Sequence, residues 1–311
     1  MLSVQSMGPG ALRYFTDLAR EDYYTQGGEP QGLWLGEGAQ ALGLSGKVDK
    51  EEFRNLFRGF SPDGLDTLVQ GAGKTDKEGR PRHHPGWDAT FSAPKSLSVL
   101  WSQADQELRA KIQAVHLAAV KDGVAYLEHA TAYTRRGKGG EVIEHAPGLV
   151  VATFEHGTSR AQDPELHTHA LILNVVPRHD GTTGTLYGIA SSDPFRRSRH
   201  KFPLFEEKLT AGAIYRASLA AYIERDLGLK TEPREDFGFE VKGVPETLVV
   251  HFSKRRADIE EELRAMGRTD AKSAERAARL TREKKAHIPR EELFQRWREE
   301  GVDDLEAYLR A

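Results

Sequence analysis

The sequence predicts an α+β fold with antiparallel strands, on three observations. Two stretches of alternating apolar residues, Leu149–His156 and His167–Val176, flank a polar connection, Gly157–Leu166, so antiparallel pairing is their simplest arrangement. Two long segments, Gln106–His129 and Phe205–Leu227, carry apolar residues at helical spacing. Strand-like and helix-like segments follow one another irregularly, without the βαβα succession of a parallel sheet.

Taken in chain order, Met1–Gln5 reads as a strand. Pro9 suits the first turn of a helix that carries Ala11, Leu12, Phe15, Leu18 and Ala19 on one face. Glu21–Gly46 is Gly-rich and reads as loop. Asp49–Phe60 reads as a short amphipathic helix, stopped near Gly59 and Pro62. Residues 71–86 form a polar loop, and Trp87–Leu100 a strand followed by a Ser/Pro turn. The Gln106–His129 helix offers Leu108, Ile112, Val115, Ala119 and Ala125 to the core. In the paired strands, Val150, Ala152 and Phe154 share a face. Leu171, Leu173 and Val175 oppose Ile172 and Val176. A turn at Asp180–Gly184 precedes the Phe205–Leu227 helix, and Phe237–Val241 and Thr247–Phe252 read as short strands. From Ser253 the chain is charged and helical, broken at Pro289. This divides it into a core of residues 1–252 and a helical segment of residues 253–311. There is no internal repeat.

Composition narrows the function classes. The 311 residues include no Cys, which excludes a disulfide framework and a thiolate metal site. Apolar runs fall far short of the roughly 20 residues that span a bilayer, and residues 1–10 lack the pattern of a secretory signal. A cytoplasmic protein without membrane insertion is expected. The 44 Lys and Arg against 47 Asp and Glu give a net charge of −3, but the last 21 residues alone carry −4. Basic runs at Arg135–Lys138, Arg196–Lys201, Lys254–Arg256 and Arg279–Arg290 are compatible with an anionic ligand or with solvated faces.

Residues 71–75, GAGKT, imitate the end of a phosphate-binding loop. Leu68 stands where the first glycine belongs and no buried strand precedes it, so the segment reads as loop. His167 and His169 are two apart in a strand, on one face with α-carbons about 6.6 Å apart, close enough for two imidazoles to converge on one ion. If the strands pair, His156 supplies a third imidazole from next door. The alternative is a set of strand-edge histidines satisfied by the adjacent loop. Asp88, in DATFSAPKS, can hold the ring N–H of such a histidine, take a proton from a nucleophile, or cap a turn. Tyr14, Tyr23 and Tyr24 are packing residues or nucleophiles. Phenol, with a pKa near 10, needs a base to attack phosphorus at neutral pH.

Taken together, Tyr14, Tyr23-Tyr24, DATFSAPKS (88–96), FEHGTSR (154–160), DPELHTHALILN (163–174), GLSGKVD (43–49) and FSKRR (252–256) resemble the relaxase domain of MobF-type conjugative relaxases, the TrwC/TraI-like family. The resemblance implies an HUH relaxase-like architecture, a central antiparallel sheet flanked by helices, with the 253–311 segment closing over single-stranded DNA. It implies a strand- and site-specific nickase that cleaves an origin of transfer by tyrosine attack. The product is a 5′-phosphotyrosyl link and a free 3′-hydroxyl, and the reverse reaction rejoins the strand.

Tyr14 matches the nucleophile, Tyr23 the second tyrosine, Asp88 the acid, and His156, His167 and His169 the ligands of a divalent ion. That ion is expected to be Mg²⁺ or Mn²⁺, although Zn²⁺ or Ni²⁺ could occupy the three-imidazole site. Tyr14-Phe15 replaces a tyrosine pair, and one extra residue separates the two aromatic pairs, which leaves Tyr23 and Tyr24 both open as the second tyrosine. Charge alone suggests Lys95, Arg160, Arg196, Arg197 and Lys201 as DNA contacts. The implied partners are origin-of-transfer DNA and conjugation accessory and coupling proteins, and the chain is expected to be monomeric. It would be able to travel with the DNA to a recipient cell. A metal-dependent hydrolase that uses only the three histidines, and a non-catalytic DNA-binding module, are the competing classes.

Overall fold

Alternation of side chains along four strands and their pairing with a fifth organise the molecule. The computed structural model describes residues 1–8, 11, 30–187, 203–268 and 288–310, with isolated positions from 270 to 280 and, for 302–310, the backbone alone. In chain order the elements are β1 (Leu2–Ser6), β2 (Leu33–Leu35), α1 (Glu37–Ala41), α2 (Lys50–Phe57), β3 (Gly86–Ser92), α3 (Lys95–Gln103) and α4 (Gln106–Thr131). A hairpin of β4 (Tyr133–Arg136) and β5 (Val142–His145) follows, then β6 (Val150–Thr158), β7 (Pro164–Leu173), and the short pair β8 (Val176–Pro177) and β9 (Thr183–Gly184). The chain continues through α5 (Pro203–Leu227), β10 (Thr231–Pro233), β11 (Phe239–Val241), α6 (Glu246–His251), α7 (Lys254–Ala265) and α8 (Arg290–Arg310).

The central sheet is antiparallel throughout, in the order β1-β3-β7-β6-β2. Period-2 alternation sends its side chains to two separate apolar layers. Trp87, Ala89, Phe91, Ala170 and Ile172 face α4 and α5, with Ile112, Val115, Ala119, Tyr215 and Leu219 opposite them. Val150, Ala152, Phe154, Leu171 and Leu173 face the other way, onto Trp34, Phe53, Leu56 and Phe57. The expected faces of β6 and β7 are those observed. β3 enters the sheet through Gly86, where φ is +140° and a Cβ would lie 2.0 Å from the Ile172 carbonyl oxygen, so only glycine fits.

Several local expectations are corrected. Thr247–Phe252 is helical, not strand, because Pro245 sets the cap and Leu248 and Phe252 recur at i, i+4 on the buried side. The Ser/Pro turn after β3 is instead the start of α3, capped at Pro94. The serines of α3 remain satisfied in a buried helix: Ser98 Oγ donates to Pro94 O and accepts from Leu166 N, and Ser102 Oγ donates to Val99 O. Glu21–Gly46 contains β2 and α1, short elements whose apolar residues are too few to show a period. The β4–β5 hairpin lay unread in a basic stretch. Ala125 is exposed, since at 100° per residue it lies off the face of Ile112, Val115 and Ala119 on α4, by about 80–140°. Phe237 is exposed at φ +58°, and the strand starts at Phe239. The C-terminal helix α8 shares the core of the first 252 residues. Its Phe294 and Trp297 rings lie 4.7 and 6.0 Å from Trp101 of α3.

A candidate metal centre on the sheet

On the sheet face that carries the second apolar layer, the cover of Phe154, Leu171 and Leu173 stops one step before the histidines. His156 on β6 stands directly opposite His167 on β7, and His169 lies between Phe154 of β6 and Thr90 of β3. Because the side-chain period is 2, this register alone places the three imidazoles on one face. One ligand nitrogen from each lies within 4.8 Å of the others. Their ring centroids are 4.9, 5.2 and 5.3 Å apart and the rings are steeply inclined to one another, by 69–86°. His156 is buried, while His167 and His169 are partly exposed.

Neighbouring acceptors fix which nitrogen carries the proton. His167 Nδ1 lies 2.7 Å from the Glu165 carbonyl oxygen, which can only accept, so Nδ1–H donates and the lone pair sits on Nε2. His169 Nδ1 lies 3.0 and 2.9 Å from Asp88 Oδ1 and Oδ2. Asp88 thereby sets the same tautomer in His169. Thr90 Oγ1 donates to Asp88 Oδ1 at 3.1 Å and steadies the carboxylate. A ring N–H held by a carboxylate or a carbonyl, which leaves the lone pair on the opposite nitrogen, is the usual arrangement of metal-ligating histidines. The donor set, three imidazoles on two paired strands, therefore fits a divalent cation. Asp88 comes to this group as a hydrogen-bond partner of His169. Thr90 was missed in the sequence, although it lies two residues from Asp88 and hence on the same face.

The other expected residues distribute differently. Lys95 is turned inward: its ammonium donates to Pro164 O at 2.7 Å, and burial lowers its pKa against the opposing charges of Asp163 and Glu165. Arg160 lies half-buried on the connection between β6 and β7, at the histidine end of both strands. Tyr14, Tyr23, Tyr24, Arg196, Arg197 and Lys201 lie outside the described residues. The chain can be followed from β1 to Met7, whose N–H donates to Gly86 O, and Ala11 packs on the apolar layer of the histidine face. Behind the sheet, and unforeseen, His116 is fully buried. Burial, with His167 nearby, lowers its pKa to about 3 and keeps it neutral.

Comparison with known proteins places these features in one group. The family model described as TrwC relaxase matches residues 9–303. The multifunctional conjugation protein TraI of Escherichia coli is 36% identical over 313 residues, 98% of this chain. The TraI of strain K12 is likewise 36% identical, over 312 residues. The chain spans 16% of the length of either protein. Among solved structures, the conjugative relaxase TrwC in complex with oriT DNA, copper-bound, superposes with a TM-score of 0.79 at 30% identity, covering 97% of this chain and 98% of that one. A metal-bound TrwC–oriT complex gives 0.78 at 30% identity, with 96% of each chain covered.

Proposed function

The chain belongs to the TrwC relaxase family, and from that premise we propose that it is a DNA strand transferase that nicks one strand at an origin of transfer. The observation that carries the reading is the three-histidine cluster with Asp88 braced behind His169, on a sheet that superposes on TrwC bound to oriT DNA.

The chemistry is a transesterification. Tyr14 Oη forms a bond to the scissile phosphorus, the P–O3′ bond breaks, the phenol loses its proton and the departing 3′-oxygen gains one. The phosphodiester energy stays in the tyrosyl ester, so the strand can be rejoined without a nucleotide cofactor. That agrees with GAGKT being a turn-rich loop rather than a phosphate cradle. Ala11, three positions before Tyr14 in the sequence, packs on the apolar layer of the sheet face that carries the histidines.

His156, His167 and His169 would hold the ion. When bound, a divalent cation supplies Lewis-acid polarisation of a phosphate oxygen. Asp88 sets the His169 tautomer, and with both oxygens within 3.0 Å of Nδ1 its positioning role is favoured over proton removal from the phenol. Mg²⁺ or Mn²⁺ suits phosphoryl chemistry, and Zn²⁺ or Ni²⁺ suits the imidazole donors. Tyr23 is the second tyrosine of this reading. Arg160, at the histidine end of β6 and β7, and Arg196, Arg197 and Lys201 are its DNA contacts, whereas Lys95 serves by anchoring α3 to β7.

Residues 1–252 hold the strand transferase sheet in this reading. Residues 253–311 close over the DNA, anchored by α8. The partners are single-stranded origin DNA and conjugation accessory and coupling proteins, with the chain acting as a monomer. Among the described residues no helix is long and apolar enough to cross a membrane. A metal-dependent hydrolase is the second reading. Incubation of Tyr14→Phe and His167→Ala with a labelled oligonucleotide separates the two. A transesterase loses cleavage in both variants, whereas a hydrolase retains turnover in Tyr14→Phe and loses it in His167→Ala.

A further inference from the structure

The strand segment that carries His167 and His169 is gripped from behind. Thr168 lies between them and points to the opposite, buried face, where its neighbours on β7 are Leu166, Ala170 and Ile172. Thr168 Oγ1 and His116 Nε2 are hydrogen-bonded at 2.9 Å, and His116 Nδ1 is hydrogen-bonded to the Tyr215 hydroxyl at 3.0 Å. His116 belongs to α4 and Tyr215 to α5, and all three side chains are buried. A neutral imidazole has one donor and one acceptor nitrogen, so the chain closes whichever hydroxyl donates to it.

A second contact of the same kind lies beside it. Glu155 is the register partner of Thr168 and the neighbour of His156. It accepts from Gln113 of α4 and from Arg290 of α8, the latter at 3.0 Å. Gln113 and His116 are three apart and share one face of α4. Helix α4 thus holds β6 and β7 by directional polar contacts at the one register pair that backs the three imidazoles.

Apolar packing at this point would satisfy burial equally well and would let strand and helix slide by fractions of an ångström. A buried hydrogen bond does not allow that, because a slipped donor or acceptor is left unpaired in the core. Thr168 shares its backbone with both neighbouring histidines. Its anchoring therefore holds the backbone from which both histidines project, and with it the separation and direction of their Cα–Cβ bonds, while Glu165 O and Asp88 orient the rings. We infer that the Thr168–His116–Tyr215 chain is a positioning device for the metal centre, which presets the His167–His169 spacing before any ion binds. The inference rests on the reading of the three histidines as ligands.

The test is Co²⁺ binding to the whole chain, followed by visible absorption and chelator competition, alongside thermal unfolding without metal. Wild type, Thr168→Val, Thr168→Ser, Tyr215→Phe, His167→Ala and the core control Leu219→Ala are compared. Thr168→Val keeps the shape and replaces the hydroxyl by a methyl group, and Tyr215→Phe removes a single oxygen. Both are expected to weaken Co²⁺ binding, Thr168→Val by about tenfold, on the scale of other outer-shell changes, with an altered absorption band. Thr168→Ser should bind like wild type. Leu219→Ala should lose more thermal stability than either yet keep its affinity. The inference is overturned if Thr168→Val and Tyr215→Phe bind Co²⁺ like wild type, or lose no more affinity than Leu219→Ala. A wild-type chain that does not bind Co²⁺, or a His167→Ala chain that binds it equally well, would instead overturn the three-histidine reading itself.

Discussion

Asp88 on β3 and His169 on β7 face each other across adjacent strands, with the His169 Nδ1–H lying within 3.0 Å of both carboxylate oxygens. Asp88 pairs with Leu171 in the ladder and Thr90 with His169, so the contact is diagonal, one side-chain step along the strand. A diagonal contact of this kind depends on register, which makes the tautomer of His169 a consequence of how β3 enters the sheet.

Asp88→Ala should weaken divalent-metal affinity by about ten- to a hundredfold, because the His169 ring loses the acceptor that orients it. Asp88→Asn, which keeps an amide oxygen as acceptor, should lose less. Isothermal titration with Mn²⁺ or Zn²⁺ checks the order. Equal affinity in all three proteins would mean that Asp88 does not position the ring.

Gly86→Ala should destabilise the chain by about 3 kcal/mol, by strain and overpacking, since a Cβ there meets the Ile172 carbonyl oxygen of β7 at 2.0 Å. Gly157→Ala should cost less. Its obstacle is a side-chain atom, Cη2 of Trp101, at 2.5 Å, although that ring is itself buried. Denaturant unfolding gives both values. Gly86→Ala should also weaken metal binding, by moving Asp88 relative to His169.

The histidine site was legible in the sequence because it is written in strand periodicity. His167 and His169 share a face by spacing, and His156 joins them once β6 and β7 pair in the one register that buries Phe154 and Leu171 together. Thr90 and the His116–Thr168 contact were not legible for different reasons. Thr90 is a small polar residue with no chemical signature of its own. His116 pairs with a residue 52 positions away on another element, a relation no local pattern encodes. The same limit explains α6. Its valines favour strand locally, and the burial of Leu248 and Phe252 against the core decides for helix.

Acid should loosen the C-terminal helix. Burial alone would raise the pKa of Glu300, but hydrogen bonds from Arg296, Lys254 and His251 override it and hold the carboxyl at about 2. A depressed folded-state pKa contributes stability that is present above the ordinary carboxyl value of about 4.5 and is lost as pH falls toward 2. Trp297, whose indole N–H donates to Gln162 O at 2.8 Å, reports the docking of this helix by its fluorescence. Glu300→Gln should be less stable than wild type at pH 6, and the two should converge near pH 2. A constant difference across that range would assign the stability to another group.

Tyr23→Phe should leave the first cleavage near the wild-type rate and reduce the second strand transfer. Tyr24→Phe serves as its comparison, because both tyrosines match the same family position. Single-turnover cleavage, followed by transfer to a second labelled oligonucleotide, measures the two steps separately. A slowed first cleavage in Tyr23→Phe would move that residue into the primary step.

The most direct test of the central claim is intact-mass measurement after incubation with an oligonucleotide spanning the cognate nick site, with divalent metal or with EDTA. Wild type should gain the mass of the 3′-side fragment through a phosphate on Tyr14, located by peptide mapping. EDTA and Tyr14→Phe should both abolish the adduct. Cleavage of the oligonucleotide with no covalent adduct, or an adduct that persists in Tyr14→Phe, would contradict it.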